Sequence, residues 1–434
     1  DLNGNGMIQD IRTFDNDIDS LDNFTNDISL TKFVEFGDIE ADITLGYYVA
    51  KQDLDINWYW QSHIADVQDQ PRLLDLYSGD TRLTTNGQMA FGAPQWGNCC
   101  TRDTSMEANI DAIYLATNWQ LSEDLSVNAS VRHDKGETRG SWLVNTVGSV
   151  DLDRNGEISF AESNTEITTQ ADRANVNTGN FDWDWSYNSY ALGVNYVVDK
   201  KWALFGNYAK GGRANFDRLL DGGYVISGQV QPNSVENFVK TLEGGVKFQG
   251  DNFGVFATLF NVKTEDVNSE AARGLDTPAF VREYDSKGVE IEATANFGDL
   301  SFFGGLTYTD AEIVGSNDDS LIGNTPYRQP DLIYTGTATY YLESASVGVS
   351  FFGRTDSYVR DDNSSELDGY VTFNAFANYE LADGLTARLA VNNLTNEIGI
   401  TEAEGGFQTV NNIDVIRART VTGRSTTFSL RYEF

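Results

Sequence analysis

Apolar and polar residues alternate along much of this chain, with the period of a β-strand. In the closing segment TTFSLRYEF, Phe428, Leu430, Tyr432 and Phe434 fall on one side. Thr427, Ser429, Arg431 and Glu433 fall on the other. Successive side chains of a strand point to opposite faces, so this segment has one oily face and one wet face. The same alternation runs through Ile43, Leu45, Tyr47 and Val49, and through Leu125, Val127, Ala129 and Val131. It returns in Val371, Phe373, Ala375, Ala377 and Tyr379. A soluble sandwich strand can look like this once. A weak signal repeated from end to end of a long chain that finishes on an aromatic is how a membrane β-barrel reads.

The rhythm predicts about fifteen strands. The first eight lie near Asn23–Phe36, Glu40–Trp60, Met106–Leu121, Leu125–Lys135, Trp183–Val198, Trp202–Lys210, Phe238–Phe248 and Phe253–Val267. The others lie near Phe280–Phe297, Leu300–Ile313, Leu332–Leu342, Ala345–Tyr358, Leu367–Leu381, Leu385–Leu394 and Arg417–Phe434. Connections alternate in length. Short turns begin at Phe36, Ser122, Val198, Gln249, Phe297, Leu342 and Ala382. Long polar loops fall near residues 1–22, 66–105, 136–182, 212–236, 268–279, 314–329, 359–366 and 396–416. Short turns on the periplasmic side and long loops outside are the outer-membrane arrangement. Single-chain bacterial barrels have an even strand number. An odd count means that a rising strand is lacking or that the chain is the later part of a larger barrel. An open edge in lipid would leave backbone groups unsatisfied at several kcal/mol each.

Composition fits this picture. At 434 residues the chain could be one large barrel rather than several soluble domains. No apolar run approaches the ~18 residues of a spanning helix. The mean hydropathy is negative, as alternating strands require. Forty glycines, 12% aromatics and only 6 prolines suit a closed sheet with aromatic girdles. The net charge of −35 argues against nucleic acid, which selects basic surfaces. No signal peptide is visible, so the chain is expected to begin after processing or late. The only cysteines, Cys99 and Cys100, are neighbours. Adjacent Cα atoms are ~3.8 Å apart, shorter than the usual disulfide span, so a bond between them closes a strained ring. An oxidising extracellular setting favours that vicinal ring over two free thiols; a partner on another segment is the further option.

The strongest chemical motif is DLDRNGEISFAE, Asp151 to Glu162. It matches a calcium loop: Asp151, Asp153 and Asn155 supply oxygens, Gly156 makes the sharp turn, Glu157 takes the backbone-carbonyl position and Glu162 the bidentate one. The competing reading is a solvated acidic loop with chance spacing. The flanks do not resemble amphipathic helices, so a bare loop is expected. DLNGNGMIQD begins the same way with Asp1, Asn3, Asn5 and Gly6. Its twelfth position is Arg12, which cannot ligate, leaving Asp10 or the following Asp15 and Asp17 as substitutes. Bound Ca2+ would neutralise and stiffen these extracellular loops and so shape the ligand mouth. Trp183, Trp185 and Tyr187 are expected in an interfacial girdle because a strand follows at once. Trp96 is a candidate for stacking against a ligand. Catalysis is not expected: there are two histidines, His63 and His133, and no serine in a nucleophile-elbow context.

Several segments of the later half resemble TonB-dependent outer-membrane receptors. FGNYAKGGRANFDRLL (Phe205 to Leu220) resembles a family strand rising into an extracellular loop, and PNSVENFVKTLEGGVKF (Pro232 to Phe248) the strand after it. KGVEIEATANF (Lys287 to Phe297) and FFGGLTYTDAEI (Phe302 to Ile313) resemble the late hairpin. TPYRQPDLIYTGTATY (Thr325 to Tyr340) and LAVNNLTNE (Leu389 to Glu397) complete the set before the aromatic terminus. The resemblance implies a 22-stranded barrel around an N-terminal plug, with uptake powered by TonB. Neither a plug nor a TonB box is found, so about 15 of 22 strands are expected here. The plug and the first seven strands would then lie on another chain, lie outside this stretch of sequence, or have been removed.

The expectation is therefore an all-β transmembrane antiparallel barrel in the outer membrane of a Gram-negative bacterium, bathed in lipid. It would import a bulky nutrient such as a ferric chelate or an oligosaccharide. Three alternatives predict other things. A passive substrate-selective porin would close evenly within this chain. A calcium-dependent surface binding module of β type would pack its apolar faces on each other. A hydrolase would need a serine within reach of His133.

Overall fold

The computed structural model describes residues 8–66, 72–75, 77–78, 80–82, 88–90, 102–143, 146–148, 156–158, 165–167, 178–214, 225–226, 229–230, 236–268, 280–410 and 413–434. Fifteen long strands form one antiparallel sheet in which each pairs with the next in sequence. They are β1 (Ile8–Phe36), β2 (Ile39–Asp66), β3 (Arg102–Ser122), β4 (Leu125–Leu143) and β5 (Thr178–Val197). Then come β6 (Trp202–Ala214), β7 (Glu236–Gln249), β8 (Phe253–Asn268), β9 (Phe280–Phe297) and β10 (Leu300–Ser316). The series ends with β11 (Leu332–Tyr341), β12 (Ala345–Arg354), β13 (Tyr370–Ala382), β14 (Leu385–Asn392) and β15 (Ser425–Tyr432). These are the fifteen segments that the alternation predicts.

The strands run further than the alternation does. β1 begins at Ile8 rather than near Asn23, and it pairs with β2 from Ile8 opposite Asp66 to Phe36 opposite Ile39, with one register shift between Ile18 and Ser20. A spanning strand needs only about 9–11 residues. The remainder of β1 and β2 exceeds that length, and no alternation is demanded of it. Two ends also differ. Tyr358 and Leu367 belong to a small ribbon, Ser357–Tyr358 with Glu366–Leu367, and not to β12 and β13. The stretch after Arg417 is not the start of the last strand: Ile413–Thr420 folds back on Ile400–Val410 as a separate hairpin.

Register carries the two faces across the whole sheet. Leu45 pairs with Leu115, Leu115 with Val131, and Val131 with Tyr190. At the other end Val349 pairs with Ala375, and Ala375 with Val391. Among the described residues nothing packs on this apolar band. Leu45 is 53% exposed, Leu259 64% and Val349 54%. A soluble domain rarely shows an apolar patch beyond a few hundred Å². The exposure removes the sandwich alternative, whose apolar faces would meet and be buried.

Among the described residues β1 and β15 are the two ends of the sheet and do not pair with each other. A three-residue piece, Gln88–Ala90, pairs with the outer part of β2 and brings the count to a 16-stranded sheet. Among the described residues it does not join the two ends of the sheet.

Candidate functional site

Two features stand out on the side and end of the sheet that the apolar band leaves. The first is a wall on the polar face. Arg132 of β4 points to the face opposite Val131 and is clamped by Asp134, with Nε 2.9 Å and Nη2 2.8 Å from Oδ1. Asp134 is buried, so the guanidinium supplies its partner. The Arg132 guanidinium lies 5.0 Å from the Tyr48 ring centre and 5.9 Å from that of Tyr114. Tyr114 donates its hydroxyl to Asp27 at 2.9 Å. Beside this group Trp185 is buried, donates from Nε1 to Thr138 at 3.3 Å, and stacks on Tyr187 with centroids 5.6 Å apart.

Two glycines make room for those rings. A Cβ on Gly46 would fall 2.0 Å from the Tyr114 ring, and one on Gly136 would fall 2.1 Å from that of Trp185. The large aromatics lie flat across their neighbours because those neighbours have no side chain. The expected girdle role of Trp185 and Tyr187 is thus corrected. On β5 the apolar face carries Leu192, Val194 and Tyr196, so odd-numbered residues face the other way. The Trp183 side chain lies outside the described residues.

The second feature is a cap at the long-loop end. It joins residues 317–331, residues 355–369 and the Ile400–Val410 hairpin. Val359, Leu367 and Ala403 form its buried core, with Ile400 against them. Arg282 of β9 is 3% exposed and its Nε lies 3.2 Å from Asp361 Oδ2; it also donates to Ser316. Asp361 Oδ1 accepts from the Tyr327 amide at 3.0 Å, and its carbonyl accepts from Asn324 at 2.9 Å. Thr325 and Asn363 exchange two hydrogen bonds, 3.0 and 2.8 Å. Arg328, held at φ 63°, reaches Glu402 at 2.8 Å, and Arg419 meets the same carboxylate at 2.6 Å.

Asn393 anchors the far side. At φ 51° it accepts from the Glu397 amide at 2.8 Å and donates to the carbonyls of Glu397 and Thr422, both at 2.9 Å. Two loop carboxylates are held below the usual carboxylate range. Asp318 accepts from the hydroxyl and amide of Ser320, and Asp362 does the same from Ser364. Hydrogen bonds to the ionised form are the cause.

The calcium positions fall mostly outside the described residues: Asp151, Asp153, Asn155, Glu162, Asp1, Asn3 and Asn5 all do. So do Trp96, Cys99 and Cys100. Gly156 is described and has φ 85°, the left-handed backbone that this turn position requires, and Glu157 beside it is exposed. Asp10 lies within β1 opposite Ile64 rather than in a loop. Among the described residues no three His, Cys, Asp or Glu side chains gather as a metal site. His133 is exposed with Nδ1 2.9 Å from Asn188 Oδ1, while Asp134 points to the other face and serves Arg132. They are not two members of a triad.

The sequence profile of the family described as TonB dependent receptor-like, beta-barrel matches residues 2–394. The chain belongs to that family. Its members are transporters of the Gram-negative outer membrane and not enzymes. One curated relative is a probable TonB-dependent siderophore receptor PiuA of Acinetobacter baumannii, 22% identical over 406 residues. The match covers 88% of this chain and 49% of that protein, so the chain spans about half the relative's length. The crystal structure of the siderophore receptor PiuA from Acinetobacter baumannii superposes with a TM-score of 0.64 at 18% identity, covering 95% of this chain and 56% of the other. The closed form of the ferric-catecholate import receptor Fiu from E. coli K12 gives a TM-score of 0.64 at 18% identity, covering 95% and 55%. At such identities the likeness is one of fold.

In this TonB-dependent receptor barrel the apolar band and the polar wall lie on opposite faces of one sheet. The motif TPYRQPDLIY contributes Thr325, Tyr327 and Arg328 to the cap, and LAVNNLTNE contributes Asn393. Sequence reading missed the wall. Counting alternate positions back from Leu192 would have placed Trp185 and Tyr187 on the inner face.

Proposed function

We infer that this chain forms the outer wall and extracellular cap of a TonB-dependent receptor that imports a ferric chelate. The single observation that carries this is the match along nearly the whole chain to a siderophore receptor. The inner wall supports it. Tyr48, Tyr114, Trp185 and Tyr187 offer flat apolar faces, and the nearby charges are balanced: Arg132 by Asp134, and Tyr114 bonded to Asp27. A wall of this kind suits a chelate of low net charge, since a chain at −35 would repel a polyanion. The wall described here would act together with a plug and with TonB, as in the relatives that the family model describes.

The test is uptake of radioactive iron presented as defined ferric chelates, in cells with and without the gene, in tonB-positive and tonB-negative backgrounds. Uptake of at least one chelate that needs both genes supports the reading. Diffusive uptake of small sugars that ignores TonB would instead favour a porin. Calcium belongs to the same reading. The loop Asp151–Glu162 binds Ca2+ through Asp151, Asp153, Asn155 and Glu162, with the Glu157 carbonyl, and so stiffens the mouth. The left-handed Gly156 supports it.

A further inference from the structure

Lateral rows followed across the sheet bring three lysines side by side. Lys210 of β6 pairs with Lys240 of β7, and Lys240 pairs with Lys263 of β8. The row continues to Tyr190 on one side and to Asp285 and Glu312 on the other. By strict alternation all three lysines share the face of Tyr208, Leu242 and Leu259, the lipid face. Like charges directly opposite each other on neighbouring strands are destabilising. They are assembled here in a chain with 65 acidic and only 30 basic residues.

Their height is informative. From Trp202 at the short-turn end to Lys210 the strand climbs about 20 Å, at ~3.3 Å per residue and ~40° tilt. The apolar band of such a barrel is about 25 Å tall, so the row sits at its upper rim. Carboxylates answer only one end. Lys263 reaches Asp285 at 3.1 Å, and Lys287, one row lower, reaches Asp310 at 3.2 Å. Lys210 rests 3.9 Å from the Phe238 ring centre. Among the described residues neither Lys210 nor Lys240 has a carboxylate within ion-pair distance.

We propose that Lys210, Lys240 and Lys263 bind the phosphate groups of an anionic lipid in the outer leaflet, whose acyl chains lie on Tyr208, Leu242 and Leu259. The phosphates lie at the depth of the row, and the apolar residues beneath it accept chains. A phosphate between two ammonium groups removes their repulsion. Lysine suits the task because a compact charge on a long stem follows a mobile headgroup.

The experiment is native mass spectrometry of the protein extracted from membranes in detergent, titrated with bisphosphorylated lipid A and with the same lipid stripped of phosphate. The wild type is expected to prefer the phosphorylated form by about tenfold or more. K210Q/K240Q/K263Q should lose that preference, while K210R/K240R/K263R and the inner-face variant K247Q keep it. Heat-modifiable migration on a gel shows that each barrel is folded. Should the triple glutamine variant not fold, K240Q alone is expected to weaken the preference several-fold. Equal binding of both lipids by the wild type, or an undiminished preference in K210Q/K240Q/K263Q, overturns the proposal. So does full displacement of the lipid by millimolar inorganic phosphate, which would mark a site for the free anion.

Discussion

Arg282 and Asp361 form an ion pair across 3.2 Å between strand β9 and a loop 79 residues later. The Arg282 side chain is 3% exposed and that of Asp361 14%. This contact ties the cap to the barrel rim, because Asp361 also holds Asn324 and the Tyr327 amide. Removing one partner of a buried pair leaves the other charge uncompensated, at a cost of about 3–5 kcal/mol. Arg282→Ala should lower stability to urea in detergent by that order and open residues 317–331 to protease. Arg282→Met with Asp361→Leu should recover much of the stability.

The inner wall depends on missing side chains. Gly136→Ala places a Cβ where Trp185 stands, and Gly46→Ala does the same to Tyr114. Each ring must swing away. Gly136→Ala should break the Trp185–Thr138 hydrogen bond and shift tryptophan emission to longer wavelength, with weaker ferric-chelate binding. Gly46→Ala should weaken binding and leave tryptophan emission unchanged. Emission unaltered in Gly136→Ala would mean that Trp185 is not seated as described.

Cap stability should depend on acid in one direction. Asp318 and Asp362 have folded-state pKa values below the ordinary range, so their contribution is complete above the unfolded carboxylate value, near ~3.9. It is lost as pH falls through the lower folded values. Pepsin cleavage of the cap should therefore rise below about pH 4. Ser320→Ala and Ser364→Ala should bring the onset to higher pH.

Calcium should matter to the loop that carries Gly156. Adding a chelator should raise protease sensitivity across residues 138–180, calcium should restore protection, and Glu162→Gln should abolish the difference. An unchanged cleavage pattern would exclude the calcium reading.

The sheet was legible because lipid on one side and water on the other force a two-residue period. Where that contrast ends, so does the signal. The outer part of β1 exceeds the length that a spanning strand needs, and its acidic residues Asp15 and Asp17 read as loop. Ile400 and Ala403 of the hairpin ITEAEGGFQTV with IDVIRART join the small core of Val359 and Leu367, and the hairpin's sequence shows no clear alternation. The face of Trp185 follows from its odd parity against Leu192, Val194 and Tyr196, and its proximity to a strand end carries no such information. The pairing of Arg282 with Asp361 leaves no local trace, since nothing near Arg282 marks which loop carboxylate will reach it.

The most direct measurement is the accessibility of nitroxide labels along β12, placed one residue at a time from Ser346 to Ser350 in membranes. Labels at Val347 and Val349 should collide with dissolved oxygen and be shielded from a water-soluble nickel chelate, while those at Ser346 and Ser350 do the reverse. Equal access of the nickel chelate at every position, or Val347 and Val349 shielded from both reagents, would contradict a wall with lipid on one side and a watery interior on the other.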